Sequence, residues 1–223
     1  GFNFNPVRLF SIMAATDAEH FDLQKLHNLY AISKTEEGLI EMDPYIASYN
    51  ELTKLFKILG SVFGFIVSDV VEKVGILQEY RKSDVADNYK TVQGMLQFEV
   101  DTKNTNTKHK PSASRTLLRL HRALAFVADF MKEIQAAEEG SKLSSIAATS
   151  YDRTLAKHHP WIVRKGVHLA VYTLPTRKHL LEKMKVENIK KTEELLGKVA
   201  ESGKKIFDVV EDLYTKHDLH SLP

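Results

Sequence analysis

The sequence predicts an all-α fold, and three observations carry that prediction. Apolar residues recur every three to four positions through most of the chain, no stretch reads as a strand, and the breaks fall at helix start and stop signals. Asp43-Pro44 is such a start, Gly140 such a stop, and Leu174-Pro175-Thr176 a break followed by a new cap. Seven to nine helices with short connectors are expected in one domain over residues 18–223, after a frayed or loosely docked arm over residues 1–17. A chain of 223 residues is long enough to bury most of its apolar surface. No segment repeats at a fixed period, which argues against a solenoid.

A first helix runs from Phe21 to about Ser33 on the spacing of Phe21, Leu23, Leu26, Leu29, Tyr30 and Ile32. Lys34 to Glu41 is a polar connector holding Gly38. Asp43 caps a second helix, Pro44 to about Leu59. Ser61 to Tyr80 reads as helical and, through Gly60 and Gly64, as a continuation of the second. Tyr89 to Val100 is amphipathic, with Val92, Leu96 and Val100 on one side. Asp101 to Ser114, rich in lysine and containing Pro111, reads as a mobile loop. Ser112 or Ser114 caps the next helix, which Gly140 ends. A serine- and alanine-rich stretch then leads into a helix to about Lys157. Pro160 is placed at the first position of another, with His159 at its mouth. Thr176 caps a short helix with Leu180 and Leu181. The last helix spans about Glu187 to Tyr214, with Leu195, Leu196, Val199, Ile206, Val209, Val210 and Leu213 as its apolar stripe.

Composition removes several function classes. The 31 basic and 29 acidic residues leave a net charge of +2, too little to hold nucleic acid by bulk field. The chain has no cysteine, hence no disulfide, thiolate metal site or cysteine nucleophile, as expected of an intracellular protein. Its ten histidines fall in no ligand pattern, so neither a metal nor another cofactor is expected. The longest uncharged apolar run, Ile58 to Val67, is about half the roughly 20 residues a membrane span needs. Asn5 stands where a myristoylation signal requires Ser or Thr, and no secretory signal is visible. A cytosolic monomer is the expectation.

Anion recognition must then be local, and Arg115, Arg119 and Arg122 are the candidates. At about 100° per residue their spacings of four and three place the guanidinium groups in one stripe on a helix. Leu117, Leu120, Leu124, Val127 and Met131 point roughly the other way. Taken alone this is equally the solvated face of an amphipathic helix. Phe126 lies on the arginine side, however, and no acid sits at the spacings that normally offset such a run. Closely set guanidiniums short of counter-charge suit a planar or phosphate anion, which each can fork onto. Asp69 and Lys73 form an i, i+4 pair with Phe65 and Phe63 one and two turns back on nearly the same side. This is either a surface ion pair or a polar rim over an apolar hole. His159 beside a proline, and Trp161 with Ile162, Arg164 and Lys165, complete the list; the tryptophan suits a membrane interface as well as a core.

The strings DPYIASY at 43–49, FGFIVSDVVEK at 63–73, RTLLRLHRAL at 115–124, HHPWIVRK at 158–165 and TLPTR at 173–177 resemble the glycolipid transfer protein superfamily. The likeness extends from about Phe21 to Pro223 and is greatest to the branch that carries ceramide-1-phosphate. It implies a two-layer helical sandwich that holds lipid chains between its layers and the head group at its surface. It further implies that Asp69 accepts from the ceramide amide and that His159 reaches the ceramide carbonyl. The glycolipid branch has asparagine where Lys73 stands and a tryptophan platform where Arg119 stands. Phosphate is therefore the implied head group, bound by Lys73, Arg115 and Arg119 with Arg122 in support, and Lys108 or Lys110 as a further loop contact. Leu59, Phe63, Phe65, Val163 and Val167 are the expected chain pocket. Trp161, Ile162, Arg164 and Lys165 are the expected contact with an anionic membrane surface. Ceramide-1-phosphate transfer without bond chemistry is the implied activity. The rivals are a lipid sensor of the same fold, a phosphoester hydrolase using His159 and Asp69, and a helical interaction module with an acidic partner.

Overall fold

The computed structural model describes residues 20–184 and 186–223. The expected arm over 1–17 lies outside the described residues. Among those residues there are nine α-helices, at the upper end of the expected count: α1 (Leu23–Ser33), α2 (Met42–Leu59), α3 (Gly64–Lys82), α4 (Val92–Asp101), α5 (Ala113–Ala136), α6 (Leu143–Thr154), α7 (Trp161–Ala170), α8 (Arg177–Lys183) and α9 (Ile189–Lys216). Single 3₁₀ turns occur at Ser61–Phe63, Ala86–Tyr89, Ala156–His158 and Val171–Thr173. Extended pairing among the described residues is limited to isolated bridges, Lys34 with Ile40 and Glu41 with Thr91.

Three boundaries differ from the sequence reading. Asp43 does not cap α2, which begins one residue earlier at Met42 after Glu41. Asp43 instead sits in the first turn, where both carboxylate oxygens accept from Arg81 near the end of α3, at 2.8 and 3.1 Å. The second and third helices are also not continuous. Gly60 adopts φ +135°, a backbone region that L side chains rarely enter, and the chain turns there before α3 starts. Pro160 likewise precedes its helix rather than opening it, Trp161 being the first residue of α7.

The central element is α5, against which α9, α6 and α3 all pack. Its predicted apolar stripe is real: Leu117, Leu120, Leu124, Val127 and Met131 are all buried. Each such side chain contributes about 1.5–3 kcal/mol on leaving water, so this face alone fixes the helix in the core. The start of α5 is held from both directions. Ser112 caps it, accepting from Arg115 N at 3.0 Å. The buried carboxylate of Glu99, from α4, accepts from Ala113 N (3.1 Å), Ser114 N (2.6 Å) and Ser114 Oγ (2.8 Å). From α9, Tyr214 Oη donates to Ser114 O at 2.6 Å. On its other side α9 comes close to α1: a Cβ on Gly203 would stand 3.4 Å from the Tyr30 ring. No helix among the described residues is long and apolar enough to cross a membrane.

Candidate functional site

A cavity of about 560 Å³ opens where α3, α5, α6 and α7 face one another. That volume is within the roughly 300–1,000 Å³ typical of ligand pockets. Most of its wall is apolar. The turn after α2 and the start of α3 supply Phe63, Phe65, Ile66 and Val70, while Phe56 and Leu59 come from α2 itself. From α5 come Leu120, Ala123, Phe126 and Phe130. The last two rings stack at 5.4 Å, so Phe126, which lies out of line with the buried stripe, is a wall residue. Ala147, Tyr151, Leu155, Val163, Val167, Val171 and Leu174 close the rest.

The polar lining is a short roll: Asp69, Lys73, Arg119, Arg122, His158 and His159. Lys73 Nζ donates to the Asp69 carboxylate, as the i, i+4 spacing predicts. Arg119 donates to Arg115 O and Leu222 O, each at 3.1 Å, and Arg122 donates to His220 O at 2.7 Å. Neither guanidinium forms an ion pair with a carboxylate among the described residues. The consequence is electrostatic. Burial, then the neighbouring Arg122 and Arg115, holds Arg119 below its ordinary pKa, with Tyr214 and Asp69 only partly offsetting them. Burial lowers Arg122 as well. Two half-buried cations without counter-charge are costly when the cavity holds no anion.

Arg115 stands apart from the wall, acting on Arg119 through its charge and its carbonyl. The expected loop cations do not reach the cavity. Lys110 lies over the Tyr80 ring at 4.1 Å and near Glu79 at 3.9 Å, and Lys108 is exposed. His159 does reach it, with Nδ1 hydrogen-bonded to Tyr151 Oη at 2.7 Å, which leaves Nε2 free to meet a ligand. Trp161 and Ile162 are 59% and 68% exposed on the outer face of α7, where the Lys165 ammonium sits over the Trp161 ring at 4.5 Å. Leu169 and Tyr172 extend this apolar exposure.

Sequence reasoning overlooked His158, Tyr151, Phe56, Phe130, Val171 and Leu174. The histidines form a dipeptide, and nothing in one dimension tells which ring meets the cavity; both line it, His159 half-buried and His158 at the exposed edge.

The chain matches the glycolipid transfer protein family over residues 40–186, which contain every one of these lining residues. It belongs to the glycolipid transfer protein family. A zebrafish (Danio rerio) ceramide-1-phosphate transfer protein is 35% identical over 210 residues, covering 92% of this chain and all of the relative. The crystal structure of the mouse ceramide-1-phosphate transfer protein without ligand superposes with a TM-score of 0.87 at 35% identity, over 91% of this chain and 100% of that one. That of the human protein in complex with 2:0 ceramide-1-phosphate does so with a TM-score of 0.86 at 34% identity, over 92% and 100%. At this similarity the all-α glycolipid transfer protein architecture is shared along nearly the whole described chain.

The cation crowding in this family member has a measurable pH consequence. Burial, then Arg122, Lys157 and His159, pushes His158 down to about 4. Burial lowers His121 too, despite its bond to Glu211. An unfolded histidine takes up a proton near pH 6.5, so between that pH and about 4 the unfolded chain binds a proton that native His158 refuses. Stability is expected to fall as pH drops through this window. Urea midpoints measured from pH 7 to 4.5 should decline less steeply in His158→Asn; an unchanged slope would count against this account.

Proposed function

We propose that this protein carries ceramide-1-phosphate between membranes, binding the lipid and releasing it without chemical change. The observation that supports this most is the pairing of an apolar cavity with two guanidiniums at its wall that have no carboxylate partner among the described residues. A sugar head group wants a π-face and neutral hydrogen-bonding groups, whereas a phosphate monoester brings about 1.5 to 2 negative charges and accepts charge-assisted bonds at each oxygen. Lys73, Arg119 and Arg122 supply these from the wall, and Arg115 reinforces the field. Asp69 then accepts from the ceramide amide, and His159 donates through Nε2 to the ceramide carbonyl while Tyr151 holds its other nitrogen. The hydrocarbon occupies the space between Leu59, Phe63, Phe65, Val163 and Val167, where each methylene contributes about 0.8 kcal/mol on leaving water. A similar apolar interior is what lets two chains leave a bilayer at little net cost.

Docking belongs to α7. Trp161 and Ile162 enter the interfacial layer while Arg164 and Lys165 meet anionic lipid, an association that is reversible and weakened by salt. In this reading the protein is a cytosolic carrier that visits membranes peripherally. The testing measurement is movement of fluorescent ceramide-1-phosphate from donor to acceptor vesicles. Catalysed movement is expected; binding with no transfer above background would favour a sensor of the same fold. Recovery of intact lipid after prolonged incubation is expected as well, and its cleavage would speak for a hydrolase.

The head-group assignment makes a second prediction. Arg119→Trp combined with Lys73→Asn should turn preference from phosphorylated ceramide toward glycosylceramide, since the pair exchanges two cations for an aromatic platform and a neutral amide. Competition between the two lipids in one transfer assay reads the ratio, with a thermal melt of the double variant to verify folding.

A further inference from the structure

Arg122 and His158 line two concavities. The second, of about 240 Å³, adjoins the lipid cavity where α5, the end of α6 and α9 come together. Three permanent cations, Arg122, Arg153 and Lys157, face a single carboxylate there, Glu211. Leu118, Ala125 and Phe207 give it an apolar back.

Glu211 is already engaged. One of its oxygens bonds His121 Nε2 and the other stands 3.6 Å from His220 Nε2. The bond to His121 is the main reason its carboxyl lies below the usual carboxylate range, so it remains charged. Arg153 is shared with Asp129 at 3.3 Å and Glu133 at 3.8 Å. Lys157 and Arg122 form no ion pair among the described residues. Arg153 stands in the last turn of α6 and Lys157 four residues on, in the 3₁₀ turn Ala156–His158, while Arg122 approaches from α5. Cations thus converge from separate elements onto a space smaller than the roughly 300 Å³ at which drug-sized pockets begin. Such a space is too small for the two hydrocarbon chains of a lipid. A tetrahedral dianion fits it, taking a charge-assisted bond on each of several oxygens.

We propose that this concavity is a second anion site, binding a phosphate monoester or inorganic phosphate through Arg122, Arg153 and Lys157. Arg122 stands between the two sites, so an anion here draws on the same guanidinium that faces the lipid cavity. The site stands independently of the lipid assignment.

The test is phosphorus NMR titration of the full chain with inorganic phosphate. It uses a Lys73→Gln/Arg119→Leu background, which silences the first site. Saturable binding of one phosphate should persist there and weaken about tenfold or more when Lys157→Gln is added. A parallel arm measures capture by phosphatidylcholine vesicles with and without phosphatidic acid, whose head group is a phosphate monoester. Loss of free-phosphate binding on Lys157→Gln assigns the ligand to solution. Loss of phosphatidate-dependent capture alone assigns it to a lipid head group. Lys157 is exposed, so the substitution leaves the core intact, and Arg153→Gln provides a second variant. If Lys157→Gln and Arg153→Gln diminish neither, or if the silenced background binds neither probe, the site does not exist.

Discussion

Arg119→Leu is expected to reduce ceramide-1-phosphate transfer by at least about 30-fold while leaving the protein folded. Truncating one member of a partly buried charge pair costs about 2–4 kcal/mol, and each 1.4 kcal/mol is a factor of ten in affinity. The prediction is asymmetric, because the same change should cost little in the empty protein. Among the described residues the partners of Arg119 are carbonyls, Arg115 O and Leu222 O. Burial and two like charges oppose its ionised form. A leucine is shorter, but it removes that opposition and is apolar like the neighbouring Leu120 and Phe126. The decisive comparison is transfer rate against melting temperature. Transfer at the parent rate refutes the phosphate site, whereas a large loss of stability would mean that the guanidinium serves the fold.

The largest effect on stability is expected at Glu99. Its carboxylate is 1% exposed and accepts from the first two backbone N–H groups of α5 and from the Ser114 hydroxyl. Burial raises its pKa, and these bonds offset only part of the rise. Glu99→Ala leaves two buried N–H groups unpaired at about 1–3 kcal/mol each, and part of this is recovered because a charge no longer has to be buried. A net loss of about 2–3 kcal/mol should lower the melting temperature by roughly 5–10 °C in a chain of this size. Glu99→Gln should fall between, since its amide nitrogen meets an N–H where the carboxylate offered an oxygen. Transfer should decline as well, because the start of α5 positions Arg115 and Arg119. A melting temperature within a degree of the parent protein would show that water satisfies the exposed N–H groups.

Residues on regular helices were legible in one dimension. Phe65, Asp69 and Lys73 share a face of α3 because about 3.6 residues make a turn, and Phe63 reaches the same cavity from the 3₁₀ turn before that helix. The same arithmetic grouped Arg115, Arg119 and Arg122 but could not tell which of them turn inward. Arg119 and Arg122 do, and Arg115 does not. Phe126 was visible as a residue on the unexpected side. His158, Tyr151 and Phe130 carried no comparable signal, because their meaning depends on which helix lies opposite. The continuous helix through Gly60 failed for a different reason: apolar periodicity runs on unbroken, whereas a single positive φ ends the helix.

By itself, then, the sequence determined the helical class, the places where most helices start and stop, and the chemical character of the site, a few cations above an apolar wall. Those are properties of neighbours three and four residues apart, and a linear reading contains them. Only the tertiary structure decided that α3, α5, α6 and α7 close around one cavity, that Glu99 holds the start of α5, and that Arg122 separates two concavities. It also decided that Arg119 and Arg122 have carbonyls rather than carboxylates as partners. The Leu222 carbonyl that receives Arg119 is 103 residues away in the chain. Contacts of that range follow from how helices pack, and no local pattern of side chains encodes them.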